Sequence, residues 1–521
     1  MNHTFTRMRR LLGIRANAGA PPRFRRAELP SPSRQRSWPL LYWFGILLCL
    51  ILIPPLVFSK MMSMRREMPR IKTIFGDNLP ATPWHWHYNP RGPDKLTWKR
   101  YLKIKQCSLR SWIFPSPPTL GSLETRPKNT SCPEFFHWIR SDLSPWSETG
   151  ITRNSVDMAK EHAAFRVTIV KGKLYVEVYY SCVLTRELFT VWGLLLLLEK
   201  YQELVPDVDL MFDCMDRPHI KKADTYPATG PPPLFRYCSD KRHYDIPFPD
   251  WSFWGWYETK LEPWDEQREK IDKGSALMEW KDKIPTAFWR GNPDVGSPLR
   301  ENLLKCTSRA EIQNQNWGIQ PTGADDPSKL ENQCKHRYKI YAEGFAWSVS
   351  FKYIMACGSP TLVISPKYHD FFMRGLQPWV HYIPVRPAQI CSGKLCPSIS
   401  SAVKWGEGKP SQAQAIGEAG REFLLRNVNM NNVYDYMFHL ISEYAALQTF
   451  KPVVPRGAQV VTENFILCLA KPGVRSLLEK SREAMKIGFT PCVMPGRTDV
   501  LQDTDWEAKE HESSRWAENK C

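Results

Sequence analysis

The sequence predicts an α/β body of two facing units, preceded by one N-terminal transmembrane helix. Three observations predict it. Residues 37–59 form a stretch of 23 residues without a charge, bracketed by Arg36 and Lys60. Strand-like apolar runs alternate with helical ones from about residue 165 to residue 445, the pattern of parallel α/β sheets. The chain has 521 residues and is 42% hydrophobic, enough for two or three packed domains. Its aromatic content of 12%, with 21 Trp, excludes a disordered polymer.

The elements follow in chain order. Residues 1–37 carry nine Arg, no Lys and one Glu, together with a Pro/Arg/Ser run, and read as a disordered basic tail. The uncharged stretch spans roughly 34 Å as a helix, enough for a bilayer. Trp38, Tyr42 and Trp43 supply an interfacial belt, no small-residue cleavage site follows, and Pro54-Pro55 ends the helix. The tail is more basic than the 60–72 flank, so it stays cytoplasmic and the body enters a lumen. Nucleic acid is thereby excluded as the partner behind the net charge of +18. The sequon Asn129-Thr130-Ser131 suits a lumenal body. So do 14 Cys with no CxxC pair, read as disulfides with at least one thiol left over.

Residues 60–105 read as a stem leading into a Trp-rich, loop-rich entry with Trp84, Trp86, Trp98 and Trp112. Residues 165–170 and 173–180 alternate around Gly172 and predict a hairpin. Residues 185–204 predict a helix with Thr185 as N-cap; its apolar run 188–198 is too short to span a membrane and is a buried helix. A strand at 210–214 ends in Met215-Asp216-Arg217-Pro218. Then come a strand at 286–289 leading into Arg290-Gly291, a helix at 299–306, a strand at 336–342, a helix at 348–357 and a strand at 361–364. Helices at 412–426 and 433–444 close the body; Val433, Tyr436, Met437, Leu440, Ile441 and Tyr444 lie on one face. The end of the chain after residue 488 is polar and reads as poorly ordered.

Few residues carry chemistry. Asp216 sits past the C-terminal end of a buried strand, where ligands gather in α/β sheets, and is a candidate general base. A turn cap, or a pair with Arg217, is the plain alternative. Asp207 and Asp209 form a nominal metal-binding DxD, although Pro206-Asp207 is turn chemistry. Arg290 suits bidentate phosphate contact, and Gly291 lets a ligand approach the backbone. The segment 343–350, with Gly344, Trp347, Ser348, Val349 and Ser350, runs from a strand into a helix start, a candidate anion site. Trp251, Phe253, Trp254 and Trp256 can stack on sugar faces or simply fill the core. His243 and His369 read as structural. There is no Ser-His-Asp ordering and no HExxH.

Taken together, these pieces resemble glycosyltransferase family 90, the Rumi-type protein O-glucosyltransferases and capsule-associated xylosyltransferases, in its plant branch. The resemblance runs from about residue 165 to 445. It rests on Pro206-Asp207 with Asp216-Arg217-Pro218, on residues 250–255, 288–291 and 334–339, on Gly344 with residues 348–352, and on residues 377–385. It implies a GT-B fold of two Rossmann-like domains with the active site between them, and inverting transfer from a UDP-sugar without a metal or other cofactor. It implies Asp216 as catalytic base, and Arg290, Gly344, Trp347, Ser348, Val349, Ser350 and Lys352 around the UDP-sugar. It also implies a disulfide between Cys334 and Cys357. Trp251, Phe253 and Trp254 become the acceptor or sugar-stacking set. Animal protein O-glucosyltransferases place an Arg where this chain has Ser350, a contact missing here or supplied by Lys352; their second Arg after the FRG-like motif is replaced within 292–295.

The expected domains are the tail (1–37), anchor (38–59), stem (60–105), an acceptor domain (106–275), a UDP-sugar domain (276–430), closing helices (431–488) and a polar end (489–521). The expected function is a type II Golgi membrane transferase moving xylose or glucose to a glycan, cell-wall polysaccharide or protein hydroxyl. The endoplasmic reticulum is the second location. An inactive lumenal sugar-binding or scaffold protein on the same fold is the alternative. A homodimer or a complex with other Golgi transferases stays open.

Overall fold

The turn at residues 171–172 shows how closely local chemistry sets this fold. Lys171 and Gly172 both take positive φ, 50° and 68°. That is what a two-residue turn between right-twisted strands requires. It joins β1 (Phe165–Val170) to β2 (Lys173–Val178) in antiparallel register, Val170 opposite Lys173. Next in sequence come β3 (Val208–Phe212), β4 (Phe235–Arg236) and β5 (Ile246–Pro247). The second half supplies β6 (Ile284–Gly291), β7 (Ala310–Asn314), β8 (His336–Tyr341), β9 (Thr361–Ile364) and β10 (Ile383–Val385). A last strand, β11 (Gln459–Val461), pairs back with β2. The computed structural model describes residues 106–107, 129–315, 326, 328–387, 394–485 and 490–496. All of them belong to the unit Arg70–Cys521.

Two sheets result. One has the order β11-β2-β1-β3-β4-β5, the other β10-β9-β8-β6-β7. The second is wholly parallel, as strand–helix alternation predicts. The first is mixed. β1 pairs antiparallel with both β2 and β3, and only β3, β4 and β5 run parallel. The tight hairpin is the reason: a two-residue turn leaves no room for a crossover helix. The Rossmann-like reading therefore fits the second sheet and fails for half of the first.

The helices are α1 (Trp138–Leu143), α2 (Arg153–Ala159), α3 (Arg186–Tyr201), α4 (Trp264–Ala276), α5 (Pro298–Leu303), α6 (Ser350–Ala356), α7 (Leu395–Gly408), α8 (Pro410–Asn427), α9 (Met430–Leu447), α10 (Glu463–Leu469) and α11 (Pro472–Glu483). α3 is buried on nearly every side, with Val191, Leu194, Leu196 and Leu197 fully covered, so its apolar run is core. Thr185 occupies its cap position, but the hydroxyl donates to Glu258 instead of capping. α9 buries the six predicted apolar residues completely. Asn429 caps it by accepting from the Asn432 N–H. The face of α9 packs into the core of the first sheet, with Tyr444 5.0 Å from Phe235 between ring centres and Tyr434 accepting from Trp254 Nε1 at 3.0 Å. A smaller core lies on one face of the second sheet, around Ile340, Leu362, Ile383 and Val403. The other face, with Tyr341 and Val363, is continuous with the large core.

Among the described residues, five disulfides join Cys107–Cys468, Cys132–Cys492, Cys182–Cys214, Cys306–Cys396 and Cys334–Cys357. Cys238 is the free thiol among the described residues, and it is buried. Within the polar end, residues 490–496 are tied down by the Cys132–Cys492 bond and a bridge between Ser131 and Val493, against the expectation of disorder there. No helix among the described residues is long and apolar enough to cross a membrane. The anchor expected at 38–59, the tail before it and the stem to 105 lie outside the described residues.

Candidate active site

Three connections leave the C-terminal ends of strands and meet in one cleft: residues 213–218 after β3, 291–297 after β6 and 342–349 after β8. The cleft together with the solvent at its open mouth takes up about 1140 Å³. Asp216, Arg290, Gly344, Trp347, Ser348, Val349 and Ser350 all line it. Residues up to 134 positions apart in sequence thus line one cleft. Arg217 pins two of the loops, donating from Nε to the Phe345 carbonyl at 3.0 Å with its guanidinium 3.8 Å above the Phe345 ring.

Asp216 is half-buried. Its partner is Arg186, the first residue of α3, which donates from Nη1 to Oδ1 at 2.6 Å. Arg217, the neighbour in sequence, points away to Phe345. Arg290 is held by two amides of the β7 region. Nη1 donates to Gln313 Oε1 at 2.8 Å, and Nε donates to Gln315 Oε1. Burial lowers its pKa. Gly291 has a packing task of its own: it makes room for Trp289, whose Cζ2 would lie 2.6 Å from an added Cβ.

The loop after β8 is built around a residue the sequence did not flag. Arg300, from α5, is buried and spreads its guanidinium over the carbonyls of Asn292, Ala342 and Glu343. Nη2 also donates to Ser348 Oγ at 3.2 Å, and Ser348 Oγ meets Ser350 Oγ at 2.9 Å. Burial pushes Arg300 down to about 10, so it remains a cation at neutral pH. Gly344 lies close under Arg300: an added Cβ would stand 3.3 Å from the guanidinium, which would have to shift by a few tenths of an ångström. α6 begins at Ser350, two residues later than predicted. The Ser348 N–H is already given to the Tyr341 hydroxyl at 3.1 Å, so this helix start offers one donor fewer than expected.

Other expected residues fall elsewhere. Lys352 does not face the cleft. Its buried ammonium donates to Asp250 Oδ2 at 3.2 Å and Ser252 Oγ at 2.7 Å, a pairing its burial demands. Trp251 lines the cleft, but Phe253 and Trp254 are fully buried core. Trp254 seats against Gly193 of α3, and Phe253 lies 5.6 Å from Phe371 between ring centres. Asp207 accepts from the Lys171 N–H at 2.6 Å, and Asp209 is buried against Arg166. Each carboxylate of the nominal DxD thus has its own structural task. Cys132, His439 and Cys492 lie at metal-ligand spacing, but the two sulfurs are bonded to each other. Asn129 is exposed.

The cleft is cationic and short of acceptors. Arg186, Arg290, Arg300 and Lys339 line it, and Asp216 is the one carboxylate that does so among the described residues. Lys339 is buried, donates to the Gln333 carbonyl at 2.9 Å, and burial pushes it down to about 7. Trp251 Nε1, Trp347 Nε1 and Arg186 Nε are buried donors with no hydrogen-bond partner among the described residues. With three arginines and Lys339 around a single carboxylate, the cleft suits a ligand that carries negative charge.

The pattern of glycosyl transferase family 90 matches residues 127–520. Relatives include O-glucosyltransferase rumi of Drosophila pseudoobscura pseudoobscura, 29% identical over 349 residues, 63% of this chain and 81% of that protein. Protein O-glucosyltransferase 1 of Homo sapiens is 27% identical over 349 residues, 63% of this chain and 84% of its own length. O-glucosyltransferase rumi of Drosophila melanogaster is 27% identical over 344 residues, 62% and 80%. A match across most of the chain, over a cleft that gathers the family's motif residues, settles its membership: the chain belongs to glycosyl transferase family 90 and is a glycosyltransferase.

Proposed function

We propose that the chain transfers a sugar from UDP to a hydroxyl group with inversion, through a GT-B-type arrangement in which the parallel-sheet half holds the nucleotide. The observation that carries this is the cleft, where Arg186, Arg290, Arg300 and Lys339 surround Asp216, the one carboxylate lining it among the described residues. Asp216 takes the proton of the acceptor hydroxyl as its oxygen attacks C1 of the sugar. The C1–O bond breaks, and its electron pair leaves on the β-phosphate oxygen. Arg290, with Arg300 behind Ser348, stabilises the charge that grows there. Cationic side chains can meet a diphosphate without a metal, and no cofactor enters this scheme. The names of the relatives favour glucose as donor sugar and a protein hydroxyl as acceptor; xylose and a glycan acceptor are the other members of each class. Five disulfides suit an oxidising lumen, in keeping with a type II Golgi protein anchored at 38–59.

The test is UDP release by the full-length chain from UDP-glucose and UDP-xylose, with and without EDTA, beside Asp216→Asn. The expected result is EDTA-resistant release from one donor, lost in the variant, with UDP binding kept. Release that needs a divalent ion, or that survives in Asp216→Asn, overturns the mechanism. Neither turnover nor UDP binding would make the chain a scaffold on a transferase fold.

A further inference from the structure

The described structure gives the Asp216 carboxylate an unusually well-fixed neighbour. Arg186 opens α3, and its guanidinium is held from three directions. Nη1 donates to the Cys214 carbonyl at 2.9 Å and to Asp216 Oδ1 at 2.6 Å. The indole of Trp251 lies beneath it, 4.3 Å from Cζ to the ring centre. The Cys182–Cys214 disulfide fastens the chain entering α3 to the end of β3, close to both Arg186 and Asp216 in sequence. Arg186 is 3% exposed, which is far more burial than an ordinary surface ion pair needs.

We propose that Arg186 is the positioning residue of the transfer reaction: it clamps Oδ1 of Asp216 so that Oδ2 alone is presented to the acceptor hydroxyl. This rests on the reading of Asp216 as the base. The chemistry asks for such a clamp. An in-line displacement tolerates little error in where the base stands, and a carboxylate on a loop would otherwise swing about its last bond. In the step itself the acceptor proton passes to Oδ2, and the acceptor oxygen bonds C1 as the diphosphate leaves with the bonding pair. Arg186 neither gains nor loses a proton. Arg300 and the Cys238 thiol, whose Sγ donates to the Asp216 carbonyl at 3.1 Å, are the other polar groups close to this carboxylate. Neither hydrogen-bonds Asp216 Oδ1 or Oδ2 among the described residues, so the clamp falls to Arg186.

The experiment compares full-length Arg186→Gln, Arg186→Lys, Asp216→Asn and the Arg186→Gln/Asp216→Asn double variant in UDP-glucose or UDP-xylose turnover. Melting temperature and UDP affinity monitor the fold. Arg186→Gln should lower kcat on the order of 10²-fold while KM for the donor stays within about twofold. Arg186→Lys, which keeps the charge but loses the planar fork, should regain part of the loss. In the Asp216→Asn background the Arg186→Gln change should cost nothing further, since it acts through a group already disabled. A loss seen only in KM, a loss matched by unfolding, or a further fall in the double variant overturns the proposal. An inactive Asp216→Asn beside a normal Arg186→Gln overturns it alone. Full activity in Asp216→Asn overturns the base assignment and the clamp together, as does a wild-type chain that turns over no donor.

Discussion

Lys339 shows what a single residue can reveal that a motif cannot. It stands on β8 opposite Phe288, buried, with its ammonium 4.5 Å from the centre of that ring, and it faces the cleft. Burial pushes it down to about 7. It is a cation below that value and neutral above it. UDP-glucose keeps a constant charge between about pH 6 and 8, because its diphosphate has no free terminal oxygen to titrate there. If UDP-glucose is the donor, as proposed, its affinity for the full chain should weaken as pH rises through 7, by up to about tenfold for one buried charge pair. Calorimetry across that range checks this, and Lys339→Met should be flat; a flat wild type would mean the ammonium never meets the nucleotide. Asp216, Arg290 and Ser348 were legible in the sequence because each sits where a strand gives way to a loop. Arg186, Arg300 and Lys339 were not. A long cation in a helix or mid-strand carries no local sign of facing inward, although the Pro298 helix start after Gly296 and Ser297 could have drawn attention to Arg300. Phe253 and Trp254 failed in the opposite sense: four aromatics in six residues advertise burial as strongly as binding.

At the scale of elements, α3 deserves its buried reading for a reason visible only in three dimensions. Gly193 lies where Trp254 packs, and an added Cβ would stand 2.3 Å from Cζ2 of the indole. Gly-to-Ala in a helix interior ordinarily stabilises, by about 1 kcal/mol. Here the indole is fully buried and its Nε1 is bound to Tyr434, so it has nowhere to retreat. Gly193→Ala should instead destabilise by about 1–3 kcal/mol, read from the denaturant midpoint; a stabilised variant would show that Trp254 can move aside. The elements themselves were largely legible. β9 falls on residues 361–364 as periodicity predicts, and α9 only extends the expected 433–444 outward by three residues at each end. Pairing was the illegible part. Nothing in the alternation of residues 459–461 foretells that β11 joins a strand nearly three hundred residues earlier.

At the scale of the whole molecule, the two ends of the body are sewn together. Cys107 is bonded to Cys468 and Cys132 to Cys492, across 361 and 360 positions. The two bonds interleave, so either one keeps the ends close when the other is lost. Removing one should cost about 2–4 kcal/mol, and removing both should cost more than the sum of the two single losses. Melting temperatures of the single and double Cys→Ala pairs check this; simple additivity would mean the ends are held by packing alone. The same stitching sets a timetable for synthesis. At about 5–20 residues per second, Cys107 and Cys132 emerge roughly 20–70 s before their partners exist. During that wait they share the nascent chain with Cys182 and Cys214, which can close at once across 32 positions. The loop that presents Asp216 can therefore be locked early. The body as a whole cannot be completed from one end to the other, and its last covalent act must follow release of nearly the entire chain.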